Sequence, residues 1–256
     1  MSEPLPALAD GDGRERIVFL HGFGGSARTW DAVVVALEGV PSVAFDLPGH
    51  GAAAARDDLS TVEARNAVLC ELDRLGVERA HLVGHSRGGA IATLVAIKVP
   101  ERIASLTLLA PGGFGEEIAA DALEAFARAE TEAELREAMT ALYRPARPSR
   151  RAVAQALIER QDPALREALV RIRQEMTPDG RQGRLRLDAL ANAPFPIAVW
   201  WGEEDAVLPV AQAEALPDAS VCILPDAGHM LPAQASRRIA AALATQFRTN
   251  RALTER

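Results

Sequence analysis

The segment Gly84-His85-Ser86-Arg87-Gly88-Gly89 places a serine between glycines two residues before and two residues after it, directly behind the apolar run 80–83. This G-x-S-x-G spacing has a steric basis. A strand that turns sharply into a helix can present a serine hydroxyl to a cleft only where the flanking positions lack bulk. The helix after the turn, to about Lys98, points free N–H groups and the positive end of its dipole at that hydroxyl. Ser86 is therefore the candidate nucleophile, and its chemistry would be attack on a carbonyl. The five-residue pattern alone recurs by chance, and its place at a strand end makes it specific.

A serine nucleophile needs a base, and the base needs an orienting acid. The chain holds five histidines. His21 and His50 lie in early glycine-rich loops and His81 inside a strand. His85 precedes the nucleophile and is expected to point away from the cleft. All four have structural readings. His229, in "PDAGHMLP", stands after the last strand and before the last helix, which makes it the candidate base. The segment "WWGEEDAVLP", leaving the run 197–201, offers Glu203, Glu204 and Asp205 as acids. The end of the run 105–109 offers only Ala110-Pro111-Gly112.

These residues must be positioned by strands. Short, nearly unbroken apolar runs occur at 16–20, 42–45, 80–83, 105–109, 197–201 and 220–224, the pattern of strands covered on both faces. Helical patterns separate the early runs. Ser60 and Glu63 form a capping box, Val68, Leu69, Leu72 and Leu75 come next, and Gly76 ends the helix. Such alternation predicts an α/β fold with a mostly parallel central sheet and helices on both faces. In the last helix, Ser236 is the expected N-cap and Ile239, Leu243 and Phe247 share a face.

After Leu109 the alternation stops. Residues 113–193 carry helical signals without a strand, and they read as an inserted helical cap on a core made of 1–112 and 194–256. Thr131 and Glu134 make a second capping box, and Asp162-Pro163 a cap followed by a first-turn proline. Leu165, Leu169, Ile172 and Met176 form one stripe, expected to pack on the sheet or on neighbouring cap helices. Residues 113–137 hold eight acids and two arginines, whereas 144–186 hold eleven arginines and five acids. The two halves could pair with each other, or the arginines could rim a pocket for an anion.

The bulk composition sets limits. A chain of 256 residues with 48% hydrophobic and 25% charged residues is globular. A net charge of −7 lacks the basic footprint of a nucleic-acid binder. No apolar stretch reaches membrane-spanning length and no signal peptide is visible, so no membrane partner and a cytoplasmic location are expected. Cys70 and Cys222 match no metal-ligand or redox spacing and read as buried free thiols.

Four stretches, in order, carry a family resemblance: "LHGFGG" (20–25), "DLPGHG" (46–51), "GHSRGG" (84–89), and the pair "WGEEDAVLP" (201–209) and "AGHM" (227–230). From about residue 16 to its end the chain resembles an α/β-hydrolase. The resemblance implies that Asp205, in W-G-x-x-D-x-x-x-P, is the acid of a Ser86-His229-Asp205 triad. It also implies that the backbone N–H groups of Phe23 and Arg87 form the oxyanion hole, where loss of one donor costs about 3 kcal/mol. The Phe23 ring is expected to line the pocket, and the "DLPGHG" loop to shape the sheet edge. Relatives that dehalogenate or open epoxides carry Asp at the elbow, so Ser86 points to acyl chemistry on a small-molecule substrate. That chemistry proceeds through an acyl-enzyme and needs no metal or organic cofactor.

Within the family, "LLAPGGFGEEI" (108–118) and the helical stretch behind it resemble the hydrolase-like module of acetoin-dehydrogenase acyltransferase subunits. This chain lacks their lipoyl-lysine motif, so the implied function is a free-standing ester, thioester or C–C bond hydrolase. "LHGFGGSARTWD" also resembles the menaquinone-pathway synthase, a lyase with the same triad. His85 and Ala90 depart from that enzyme's Tyr and Arg. A noncatalytic ligand-binding module on the same fold is the third reading. Two departures from the family stand out. Few residues precede the first run, so the usual N-terminal hairpin must be shortened. Arg87 stands where relatives carry Met, Leu or Phe, and its guanidinium could recruit a substrate carboxylate or turn into an ion pair.

Overall fold

The computed structural model describes residues 4–11 and 13–254, with side chains through Asn250. A seven-stranded sheet has the order β1-β3-β2-β4-β5-β6-β7. Its strands are β1 (Ala7–Asp10), β2 (Glu15–Leu20), β3 (Ser42–Phe45), β4 (Arg79–His85), β5 (Ile103–Leu109), β6 (Ile197–Gly202) and β7 (Ser220–Leu224). β1 runs antiparallel to β3, and every other pairing is parallel. The six apolar runs thus become β2 to β7. Parallel strands with helices on both faces bury every position, and β5 has no exposed residue from end to end. β1, antiparallel to β3, is an exposed edge strand.

Helices α1 (Asp31–Ala36), α2 (Thr61–Arg74) and α3 (Arg87–Lys98) fall between or beside the early strands. The capping box of α2 is present: Ser60 Oγ accepts from the Glu63 amide at 3.1 Å, and Glu63 Oε2 accepts from the Ser60 amide at 3.0 Å. Gly76, at φ +62°, ends that segment in the left-handed region that glycine tolerates.

Between β5 and β6 come α4 (Ala120–Arg128), α5 (Glu132–Tyr143), α6 (Arg150–Glu159) and α7 (Pro163–Met176), with no strand among the described residues. Thr131 and Asp162 cap α5 and α7 as read. The α7 stripe packs on Ala127 of α4, on Ala54 and Leu59 of the loop after β3, and on Phe23. The uneven charges pair in part across the insert, as Arg173–Glu124 at 2.8 Å and Arg181–Glu116 at 3.0 Å. Arg171 instead reaches Asp57 outside it, at 2.8 Å.

The chain closes with α8 (Leu231–Gln234) and α9 (Ser236–Thr254). α9 begins at Ser236 itself, because the short α8 delivers the chain already turning, and the cap lies one residue earlier than read. Ile239, Leu243 and Phe247 are buried on one face. The cysteine reading is corrected. Cys70 is exposed on the outer side of α2, opposite buried Val68 and Leu72, and Cys222 is half-buried on edge strand β7. Parallel pairing brings the C-terminal ends of β2, β4, β6 and β7 to one edge of the sheet, where the loops with the candidate residues emerge.

Candidate active site

β4 ends at His85, and the chain turns into α3 at Ser86, whose backbone sits at φ 52°, ψ −120°. A non-glycine residue there is strained, and its surroundings hold it. The Ser86 amide donates to Leu109 O at 3.0 Å, and its carbonyl accepts from the amides of Gly89, Ala90 and Gly112 at 2.9, 3.2 and 2.9 Å. The two framing glycines are dictated by contact. A Cβ at Gly84 would run into the backbone of Gly88, and a Cβ at Gly88 into the carbonyl oxygens of Leu20 and His21.

Asp205 comes after β6 and His229 after β7. Asp205 Oδ2 accepts from His229 Nδ1–H at 2.8 Å, while its Oδ1 accepts from the amides of Val207 and Leu208 at 2.8 and 2.9 Å. Burial alone would raise the Asp205 pKa, yet the facing His229 and these three hydrogen bonds outweigh it and hold the carboxylate below its ordinary value. The bond to Asp205 sets the His229 tautomer, leaving Nε2 unprotonated. Both side chains are almost wholly buried. Ser86 Oγ itself makes no hydrogen bond within 3.5 Å among the described residues.

His85 departs from expectation. The strained turn brings its ring beside that of His229, with ring centroids 4.9 Å apart, and His85 Nε2–H donates to the His229 carbonyl at 2.8 Å. Burial, reinforced by the adjoining His229, pushes its pKa down to about 3, so it is neutral and carries its one proton on Nε2. Nδ1 is then an acceptor, packed against Gly22, where a Cβ would come within 2.7 Å of it. Only the direction of a side chain at a strained turn distinguishes this role, and spacing does not report it.

The loop 22–24 that presents the Phe23 amide is braced by two more neutral imidazoles. His21 Nε2 accepts from the Leu47 amide and His50 Nε2 from the Gly24 amide, both at 3.0 Å. Their Nδ1–H groups donate to Gly22 O at 2.8 Å and Pro48 O at 3.1 Å. The 46–51 loop is thus a buttress for loop 22–24 as well as part of the sheet edge. Asp46 adds to it by accepting from the amides of Ala27 and Ala52 at 2.7 and 2.9 Å. His81, as read, is structural, bonded to Ser105 and Glu15 within the sheet. The Phe23 ring is half-buried on the wall of a cavity of about 190 Å³, together with His85, Phe126, Met139, Leu142 and Met230.

Burial holds His21 down at about 4, His50 well below its ordinary value and His85 at about 3. In the unfolded chain each ring protonates near pH 6.5. Between that pH and the folded values the unfolded state binds more protons, so stability is full above about pH 6.5 and falls as pH drops below it. At full slope each ring removes about 1.4 kcal/mol per pH unit. Urea unfolding at pH 7, 6 and 5 should show a falling midpoint, and a constant midpoint would contradict neutral burial of these rings.

Comparison with known proteins places the chain. The family model "Alpha/beta hydrolase family" matches residues 17–242. The chain belongs to the alpha/beta hydrolase family. This alpha/beta hydrolase is 35% identical over 231 residues to the dihydrolipoyllysine-residue acetyltransferase component of the acetoin cleaving system of Cupriavidus necator, covering 86% of this chain and 60% of that protein. It is 37% identical over 238 residues to the component of the same name from Pseudomonas putida, covering 90% and 62%. It therefore spans about three fifths of the length of these relatives. A solved meta-cleavage product hydrolase from Pseudomonas fluorescens IP01 superposes with a TM-score of 0.83 at 20% identity, covering 95% of this chain and 93% of the other, a likeness of fold. No described helix is long and apolar enough to cross a membrane, and no group of three or more described His, Cys, Asp or Glu residues could hold a metal ion.

Proposed function

We propose that this alpha/beta hydrolase cleaves a small acyl substrate, an ester, a thioester or a C–C bond beside a carbonyl, through an acyl-enzyme on Ser86. The observation that carries the reading is the 2.8 Å bond from His229 Nδ1 to a buried Asp205 carboxylate, beside the strained serine turn. In this reading His229 Nε2 takes the hydroxyl proton as Ser86 Oγ attacks the carbonyl carbon. The imidazolium is stabilised by Asp205, and the alkoxide by the amides of Phe23 and Arg87. The leaving group departs with the proton from Nε2. Water, deprotonated by the same nitrogen, then attacks the acyl carbon and frees Ser86. His85 stays neutral while His229 cycles through its charged form, so no second charge opposes the imidazolium.

Helices α4 to α7 serve as a cap over a core of 1–112 and 194–256, and their apolar residues in the 190 Å³ cavity suit a small acyl group. Acyl chemistry also agrees with the names of the two acetoin-system relatives, both acetyltransferase components. The test is mass spectrometry after exposure to a fluorophosphonate. The wild type should gain one adduct on Ser86, and His229→Ala should react about a hundredfold or more slowly, the contribution of a positioned base. Labelling that is absent in the folded wild type, or unchanged in His229→Ala, removes the activated-nucleophile reading.

A further inference from the structure

A second cavity, of about 300 Å³, shares no lining residue with the first. His85 lines one cavity and Arg87 the other, with Ser86 between them in the chain. The Arg87 wall is completed by the first turn of α2, by Gly112 and Gly113, and by Gln182. Arg87 is 2% exposed, yet no carboxylate lies within ion-pair distance of it among the described residues. Nη2 donates to Leu59 O at 2.5 Å, while Nε and Nη1 are buried without a hydrogen-bond partner. Gln182, the buried neutral side chain on this wall, is turned to other partners. Gln182 Oε1 already accepts from the Gly113 amide at 2.9 Å, and its Nε2 donates to Glu117 O and Gln212 Oε1 at 3.2 and 3.3 Å. The other charged residues on the wall, Glu175 and Arg184, are both exposed.

A buried cation with unfilled donors is costly unless something anionic meets it. We propose that Arg87 receives a carboxylate carried by the acyl substrate, so that the second cavity is a subsite for the anionic end of a dicarboxylic or keto-acid substrate. Burial lowers the guanidinium pKa to about 10, which leaves it charged at neutral pH. An anion entering from solvent passes Arg184 and Glu175, the one attracting and the other repelling it. The inference rests on Ser86 being the nucleophile, because the subsite has meaning as substrate recognition only beside the reacting serine.

The experiment has two arms that fail separately. In the first, calorimetry measures adipate binding to Ser86→Ala, which cannot turn over. Adding Arg87→Met should weaken binding on the order of tenfold or more, the loss of a charge-assisted hydrogen bond, while Glu175→Gln should strengthen it. Adipate that does not bind, or that binds equally with and without Arg87→Met, overturns the subsite. So does Glu175→Gln leaving adipate binding unchanged while lowering the melting temperature, since Glu175 is then the arginine's own partner. Arg87→Lys keeps the charge and should retain part of the affinity, which separates loss of the anion contact from misfolding. In the second arm, kcat/KM is compared for the mono-p-nitrophenyl ester of adipic acid and its terminal amide. Wild type should prefer the acid, and Arg87→Met should erase that preference. A preference that survives Arg87→Met overturns the subsite. Turnover of neither ester, with adipate still bound in an Arg87-dependent way, would refute the proposed reaction and leave the anion site standing.

Discussion

Ser86→Ala should remove turnover of any ester the wild type hydrolyses by about 10⁴-fold or more, while leaving the melting temperature within a few degrees. The magnitude reflects what the side chain contributes. Without Oγ no acyl-enzyme can form, and only oxyanion stabilisation and binding remain to help a water molecule. The small effect on stability reflects the contacts of residue 86, which are made by its backbone: the bond to Leu109 O and the carbonyl shared by Gly89, Ala90 and Gly112. Alanine keeps all of them and meets the same cost at φ 52°. Steady-state rates and a thermal melt on the same preparation decide the matter. A residual rate above about one hundredth of wild type would mean that another group attacks the carbonyl.

Asp205→Asn should cost about as much in kcat, on the order of 10⁴-fold, with the fold intact. Asn can keep its carbonyl toward the amides of Val207 and Leu208, which hold Asp205 Oδ1 at 2.8 and 2.9 Å. Its NH2 then faces His229 Nδ1 and obliges that nitrogen to accept. The proton moves to Nε2, the one atom that must be empty to receive the serine proton. The imidazolium also loses its counter-charge. The KM should change far less than kcat, because nothing in the substrate cavity moves. If Asp205→Asn turns over within tenfold of wild type, Asp205 is a structural residue of its turn rather than the orienting acid.

The strands on which the sheet depends were legible because buried parallel strands are written as unbroken apolar runs; β2 to β6 obey that rule, whereas β7, read from the same pattern, is an edge strand whose Val221 and Ile223 are exposed. β1 was not legible. Its four residues are all exposed and pair only through the backbone with β3, so no periodic burial marks them. At the site, His229 was legible as the histidine of the loop after the last strand, whereas position alone left Glu203, Glu204 and Asp205 open and the family resemblance singled out Asp205; the structure joins Asp205 and His229 at 2.8 Å. His85 was misread because side-chain direction at the elbow depends on the positive φ of the next residue. Arg87 offered two readings, a substrate carboxylate or an ion pair. Among the described residues it forms no ion pair and its hydrogen-bond partner is a backbone carbonyl 28 residues away, a contact that leaves no trace in residue type.

The loop that carries His229 is fastened from two directions. His85 holds the His229 carbonyl from the elbow, and the end of α5 holds the residues just beyond it. There Leu142 O accepts from the Met230 amide at 3.2 Å, and Tyr143 O and Arg144 O accept from Gln234 Nε2 at 2.7 and 3.2 Å. Gly228 packs so closely on Arg144 O that no side chain fits there. The insert and the sheet are therefore not interchangeable parts. A shortened chain running from β5 straight to β6 would keep Ser86, Asp205 and His229 in its sequence and lose the carbonyls to which the His229 loop is moored. Grafting a foreign insert would meet the same constraint, and the three-residue stretch at the end of α5 is the part that would have to travel with the His229 loop.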